Sequence, residues 1–193
     1  MPFTNALRPL LLLPVLAACG GGAQELADDT IALYNRVDAK YLDEGFTTES
    51  ELPETGSARY EGSIVLAPPH FIGDYEGFFG EMTLRTDFGS STVTGEADNF
   101  YAVNFLDEAT TMDGSMSITG DIGRATTATE SPAFGGTIEG SISDSSDTYR
   151  YEADMVGLWV GDDYDYVQLF IAGTMYRNAY YGAEVSGTAV GAR

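Results

Sequence analysis

The sequence predicts an all-β fold, a small closed antiparallel β-barrel of about eight strands preceded by one amphipathic helix, and three observations carry that prediction. From Ala58 onward apolar and polar residues alternate with a period of two; glycine recurs at the inward positions of that alternation; and a chain with 23 Gly and 12 Tyr is rich in strand and turn formers and poor in long helix formers.

The elements follow in order. Arg8, an apolar run from Leu10 to Leu16 broken by Pro14, and the small residues Ala17 and Ala18 lead to Cys19. That order is a secretory signal over residues 1–18 with a cleavage site before the cysteine. The run is too short for the ~20 residues a bilayer-spanning helix needs. Residues 19–24, the cysteine and Gly20-Gly21-Gly22-Ala23-Gln24, read as an anchor point and a flexible tether. Over residues 25–42, Leu26, Leu33, Tyr34, Val37, Tyr41 and Leu42 fall near helical spacing, and Glu25, Asp28 and Asp29 sit early, where the helix dipole favours anions. Residues 43–57, with Gly45, Pro53 and Gly56, read as a linker that completes a 25–57 unit ahead of the barrel at 58–193.

Within the barrel region the two faces separate cleanly. Tyr60, Gly62, Ile64 and Leu66 oppose Glu61 and Ser63; Phe78, Gly80, Met82, Leu84 and Thr86 oppose Glu81, Thr83, Arg85 and Asp87. The same holds for Met116, Ile118, Gly120 and Ile122 against Ser115, Ser117, Thr119 and Asp121, and for Phe134, Gly136, Ile138, Gly140 and Ile142 against Thr137, Glu139 and Ser141. Further strands are expected at 149–160, 166–176 and 181–190, a short one at 91–97, and a weaker candidate at 99–105. Interior glycine weakens a flat strand but permits the bend and close backbone approach of a sheet that curls shut. The pattern therefore favours a closed barrel over an open sandwich. Periodicity alone does not separate this from a membrane barrel with inverted faces; the many carboxylates on the polar faces argue against insertion.

Two stretches carry a family resemblance. Phe79-Gly80-Glu81-Met82-Thr83-Leu84-Arg85-Thr86-Asp87-Phe88-Gly89 followed by Ser91-Thr92-Val93-Thr94-Gly95 resembles the strand-turn-strand signature of the β-barrel domain of transferrin-binding protein B and related bacterial surface lipoproteins. Gly135-Gly136-Thr137-Ile138-Glu139-Gly140-Ser141-Ile142 is similar, and Tyr180-Tyr181-Gly182-Ala183-Glu184-Val185-Ser186-Gly187 resembles the closing motif of that family. The resemblance runs from Tyr60 to the C-terminus and implies a barrel with a binding heritage. Large members carry a handle domain in each of two lobes; this chain has room for one barrel and a helix, and nothing in it corresponds to transferrin-binding loops.

Leu16-Ala17-Ala18-Cys19 likewise resembles the lipobox of bacterial lipoproteins. The resemblance implies acylation of Cys19 and attachment to a membrane through its lipid, and Gly20 in place of an aspartate favours the outer membrane, at its periplasmic face or on the cell surface. Two or more acyl chains make such attachment stable. Cys19 is the sole cysteine, so the fold holds without disulfides.

With 9 basic against 30 acidic residues the net charge is -21, a surface that repels nucleic acid and anionic headgroups and that suits solubility, a saline habitat or a basic partner. Catalytic chemistry finds little to stand on. His70 is the sole histidine, after the diproline Pro68-Pro69, and reads as a loop residue, since zinc takes several nitrogen or sulfur ligands. With no free thiol, one histidine and the sole lysine, Lys40, in the predicted helix, triads and Schiff-base sites are nearly excluded. Glycine-rich stretches such as Gly120-Asp121-Ile122-Gly123 lack the strand-loop-helix setting of a phosphate cradle. A carboxylate pair of the glycosidase kind needs a geometry that sequence does not supply.

The turn Gly161-Asp162-Asp163-Tyr164-Asp165-Tyr166 holds the remaining candidates. Asp162, Asp163 and Asp165 could bind a cation weakly, although the run lacks the length and terminal glutamate of an EF-hand loop; a solvated acidic turn is the plainer reading. Tyr164 and Tyr166 are the candidate partner-binding residues, because tyrosine is enriched at interfaces. The sequence-level expectation is a non-enzymatic envelope lipoprotein whose loops bind a protein partner, without cofactor or resident metal. The alternative is a lipocalin-like carrier with a small apolar ligand or haem inside the barrel, for which Gly62, Gly80, Gly120, Gly136 and Gly140 would leave the space. A purely structural envelope lipoprotein is compatible with the same residues.

Overall fold

The computed structural model of the chain describes residues 21–68, 75–104, 106, 108–127, 129–178 and 181–193. The export segment 1–18, Cys19, His70 and Tyr180 lie outside those residues.

One helix, α1 (Gly21–Glu44), precedes nine strands: β1 (Ser57–Ala67), β2 (Tyr75–Asp87), β3 (Thr92–Asn104), β4 (Ala109–Thr111), β5 (Asp113–Gly123), β6 (Ala133–Ser143), β7 (Thr148–Val160), β8 (Tyr166–Arg177) and β9 (Tyr181–Ala192). The sheet runs β2-β1-β9-β8-β7-β6-β5-β3-β4, and β2 also pairs with β3, so eight strands close on themselves while β4 hangs from β3. Every pairing is antiparallel. The predicted fold class is the observed one.

The alternation read from the sequence gives the wall its two faces. On β7, Tyr149, Tyr151, Ala153 and Met155 are buried while Arg150, Glu152 and Asp154 are exposed. The inward residues form one packed cluster, and its largest members, Trp159, Tyr60, Tyr149, Tyr151, Phe78, Phe100 and Phe134, are all under 2% exposed. Eight strands enclose about the volume that side chains can fill. Here they fill it.

The inward glycines follow the same logic. A β-carbon on Gly136 would lie 2.0 Å from the Thr119 carbonyl oxygen, and one on Gly62 would lie 1.9 Å from that of Val190. Neighbouring backbone closes in on both positions, so they serve the curvature of the sheet.

Two departures from the sequence-based expectation have a physical cause. The short strand expected at 91–97 and the weak one at 99–105 are a single strand, β3, interrupted by a bulge. Its register against β2 steps from Phe79↔Tyr101 to Glu81↔Asp98, and Asn99 takes a left-handed φ of 51°. The extra residue shifts the inward set from Val93 and Ala97 to Phe100 and Ala102, which breaks the period of two and makes one strand look like two. Strand β4, of three residues, carries no periodic signal and escapes sequence reading.

The helix begins at Gly21, one turn before residue 25, so Gly21 to Gln24 belong to it and not to a flexible tether. It ends where Gly45, at φ 83°, donates its N–H to the Tyr41 carbonyl, a left-handed C-terminal stop. It lies along the outside of the barrel in two apolar patches. Ala27 packs with Val65, Phe79 and Val103, and Leu33 and Val37 pack with Val160 and Val190. The helix therefore explains why β1 and β2 are buried on both faces near 63–66 and 77–80. None of the helical residues described forms a segment long and apolar enough to cross a membrane.

Candidate functional site

The candidate residues at 161–165 sit in the turn between β7 and β8, at the end of the barrel that also carries the 88–91 turn and the C-terminus. Gly161, at φ 89°, turns the chain, and Tyr164, at φ 48°, turns it again. The turn is tied to the segment that follows α1. Gly161 donates its N–H to the Gly45 carbonyl at 3.1 Å, Thr47 donates its N–H to the Trp159 carbonyl at 3.0 Å, and the Thr47 hydroxyl donates to the Gly161 carbonyl at 2.5 Å. The Asp162 N–H donates to the Glu44 carboxylate at 2.9 Å.

Charge surrounds the turn unevenly. Glu44 accepts from Lys40 and from the Asp162 N–H, and both bonds, the lysine first, hold its carboxyl below the ordinary range. Lys40 is raised in turn by the same contact. Partial desolvation, then the Glu44 and Glu51 carboxylates, push Asp162 above the ordinary range. Asp165 faces Arg193 at 3.4 Å and Lys40 at 4.0 Å. Of the three aspartates only Asp165 has cationic partners of its own, and among the described residues no group of three or more histidine, cysteine, aspartate or glutamate side chains is arranged to hold a metal ion.

The two tyrosines are placed differently from a pair of free loop anchors. Tyr164 lies over the barrel mouth, its ring centroid 5.5 Å from that of Phe88 and edge-on to it, with the Arg193 guanidinium 4.4 Å above the ring. Its carbonyl accepts the Tyr60 hydroxyl at 3.0 Å. Tyr166 packs against the helix cluster of Leu33, Val37, Val160 and Val190. Asp162 and Asp163 remain the exposed tip.

No family model matches the chain, and no curated protein matches it. Solved structures do. A single mutant of the vaccine antigen transferrin-binding protein B from Haemophilus parasuis Hp5 aligns at 14% identity and a TM-score of 0.49, over 76% of this chain and 28% of that one. A double mutant of the same antigen aligns at 14% identity and 0.47, over 77% and 27%. The chain spans under a third of the length of those proteins.

A second surface feature was invisible in the sequence. Near the start of α1, a cleft of about 760 Å³ opens between the helix and the barrel wall, lined by Glu25, Asp29, Glu81, Glu96, Asp98 and Asp113. Partial burial, then the Glu96 and Glu81 carboxylates, raise the Asp98 carboxyl above its ordinary range. The six carboxylates come from α1, β2, β3 and β5 and share no spacing along the chain, so only the closed wall brings them together.

Next to the cleft, Arg59 and Arg85 stand directly opposite each other on the outer faces of β1 and β2. Arg59 also reaches Glu61 at 3.0 Å, both side chains well exposed. A like-charge cross-strand pair is mildly unfavourable. Glu96 and Asp98 line the same stretch of surface.

Proposed function

We propose that the protein is a non-enzymatic envelope lipoprotein, exported by residues 1–18, acylated at Cys19, held at the outer membrane, and binding a protein partner through the outside of its barrel. The observation that carries the choice of outside over inside is the filled interior. Trp159, Tyr60, Tyr149 and Tyr151 occupy the space that a carrier would leave for its ligand. A small apolar ligand or haem would have to displace aromatic side chains that pack on one another, such as Phe134 and Trp159 at a centroid distance of 4.9 Å.

The lipobox residues support the anchor, and the strand-turn-strand resemblance at 79–95 supports a binding role. Of the exposed turns, the 161–165 tip offers the best-supported presentation. Its base is rigid, tied to residues 44–47 and to Arg193, and Asp162 and Asp163 at its tip are exposed. A rigid base lowers the ordering cost of binding, and an acidic tip suits a basic partner surface.

The test is site-specific photo-crosslinking in cells, with the reactive residue at Asp163 and, as a control on the wall, at Thr137. A discrete adduct from Asp163 that is missing from Thr137 is expected. Adducts from neither position, nor from the 88–91 turn at the same end, would count against a partner at this end.

A further inference from the structure

The way α1 is fixed to the barrel determines how the domain faces a bilayer. The helix starts at Gly21, so a lipid on Cys19 would be separated from it by one residue, at most ~8 Å of chain whatever its conformation. Its 24 residues run about 36 Å. The first turn lies against β3, where a β-carbon on Gly22 would meet the Tyr101 hydroxyl at 2.7 Å. The last turn is bonded to the 161–165 turn through Glu44 and Gly45. Two apolar clusters hold the length between. The anchor is thereby committed to one end of the barrel, the end with the β3–β4 and β6–β7 turns.

Resting on the lipid-anchor reading above, we propose that the barrel stands directly on the bilayer without a stalk, with the end bearing Leu106 against the lipid and the 161–165 turn pointing away from it. Leu106 supplies an independent observation. It lies beyond the end of β3 at 76% exposure, and its N–H donates to the Asn104 side chain at 2.9 Å, a bond repeated by the Glu108 N–H. Leu106 is thus displayed to solvent at the end where the anchor must be. A bilayer surface is the apolar partner that the anchor brings within reach.

Leu42, at 83% exposure, sits at the other end, on the outward face of α1. A side-on pose with α1 flat on the membrane would bury Leu42, but would also bring Asp28, Asp38 and Asp43 of the same helix to the headgroups. Water-facing carboxylates resist that. The upright pose leaves most of them in solvent. It places the cleft around Asp98 nearest the lipid, which suits an ammonium-bearing headgroup layer over a densely anionic one.

The acylated full-length mature protein allows a direct test, because once Cys19 carries lipid any introduced cysteine is the sole thiol. Leu106→Cys, Leu42→Cys and Asp163→Cys, each labelled with the same fluorophore, are reconstituted into phosphatidylethanolamine vesicles containing a minority of phosphatidylglycerol and a headgroup-labelled energy acceptor. The expected result is transfer several-fold stronger from the label at 106 than from those at 42 and 163. Equal transfer from 106 and 42 would overturn the proposal in favour of the side-on pose, and equal or stronger transfer from 163 would overturn it in favour of a freely tumbling or inverted domain. Mass spectrometry and flotation of the same samples separate the two failures. Protein without acyl mass that does not float removes the anchor and the pose together; acylated, floating protein with the wrong transfer pattern removes the pose alone.

Discussion

The hydroxyl of Tyr60, in the first strand, donates to the carbonyl of Tyr164, in the turn before the eighth, across 3.0 Å and 104 positions of sequence. This bond ties the mouth of the barrel to the turn that displays Asp162 and Asp163. Burial pushes the Tyr60 phenol well above its ordinary range, so it stays protonated and donating at any physiological pH.

Removing that hydroxyl isolates its contribution. Tyr60→Phe keeps the ring and leaves the Tyr164 carbonyl without this donor, and a loss of about 1 kcal/mol is expected. Urea denaturation should show a lower midpoint with an unchanged slope. Amide hydrogen exchange should quicken at 161–165 and not at the distant 144–147 turn.

The bends of the wall predict an asymmetry among glycines. Gly136→Ala would set a methyl group 2.0 Å from the Thr119 carbonyl oxygen, whereas at Gly89 the nearest atom is the Asp87 carboxylate at 3.5 Å. The first substitution should cost about 1–3 kcal/mol by overpacking, and the second should be close to neutral. Thermal melts of the two variants decide it, and equal melting points would contradict the account of curvature.

Much of this was legible in the residues. Met116, Ile118 and Ile122 against Ser117, Thr119 and Asp121 announce a two-faced strand, and β5 buries the first set and exposes the second. The bulge at Asn99 was not legible, because an inserted residue flips the alternation and sequence has no marker for which neighbour absorbs it. Nor was the role of Tyr164. A tyrosine in an acidic turn reads as a displayed side chain, and only the position of Phe88 beneath it reveals a plug. The docking of α1 was half legible. Its apolar spacing was visible, but Val65, Phe79 and Val103 sit on strand faces expected to be polar, and what covers them is a tertiary matter.

Alkaline pH should weaken the fold. Burial, then the Asp144 contact, push Tyr75 up to about 12, and burial raises Tyr34, Tyr60, Tyr149 and Tyr151 further. A phenol in the unfolded chain releases its proton near pH 10, below its folded value. Above that pH the folded state binds more protons than the unfolded one, so stability falls as pH rises. The stabilisation is complete below about pH 10 and is lost progressively above it. Melting temperature between pH 8 and pH 12 should decline along with the rise of phenolate absorbance, and a flat profile would contradict the burial of these rings.

On the acid side the sign reverses. The Arg177 bond, then that from Asn178, hold Asp147 below the ordinary carboxylate range. Asp144 is also low: burial pushes it up, but the Tyr75 hydroxyl and the Ser146 and Asp147 N–H groups outweigh that. Both contribute stability above the ordinary carboxylate pKa that is lost as pH falls through their depressed values. Asp147→Asn should lower stability at pH 7 by about 1 kcal/mol and flatten the acid limb of the melting profile.

The central claim is that the barrel is closed and full, so that its function lies on the outside. Trp159 is the chain's sole tryptophan and is 1% exposed inside the wall, so its fluorescence reports directly on the interior. Titration of the purified mature protein with haem and with a long-chain fatty acid, followed by Trp159 emission after correction for absorbance, is the measurement. A blue-shifted emission that neither compound quenches in a saturable way is the predicted result; saturable quenching at one equivalent would place a ligand inside and contradict the account.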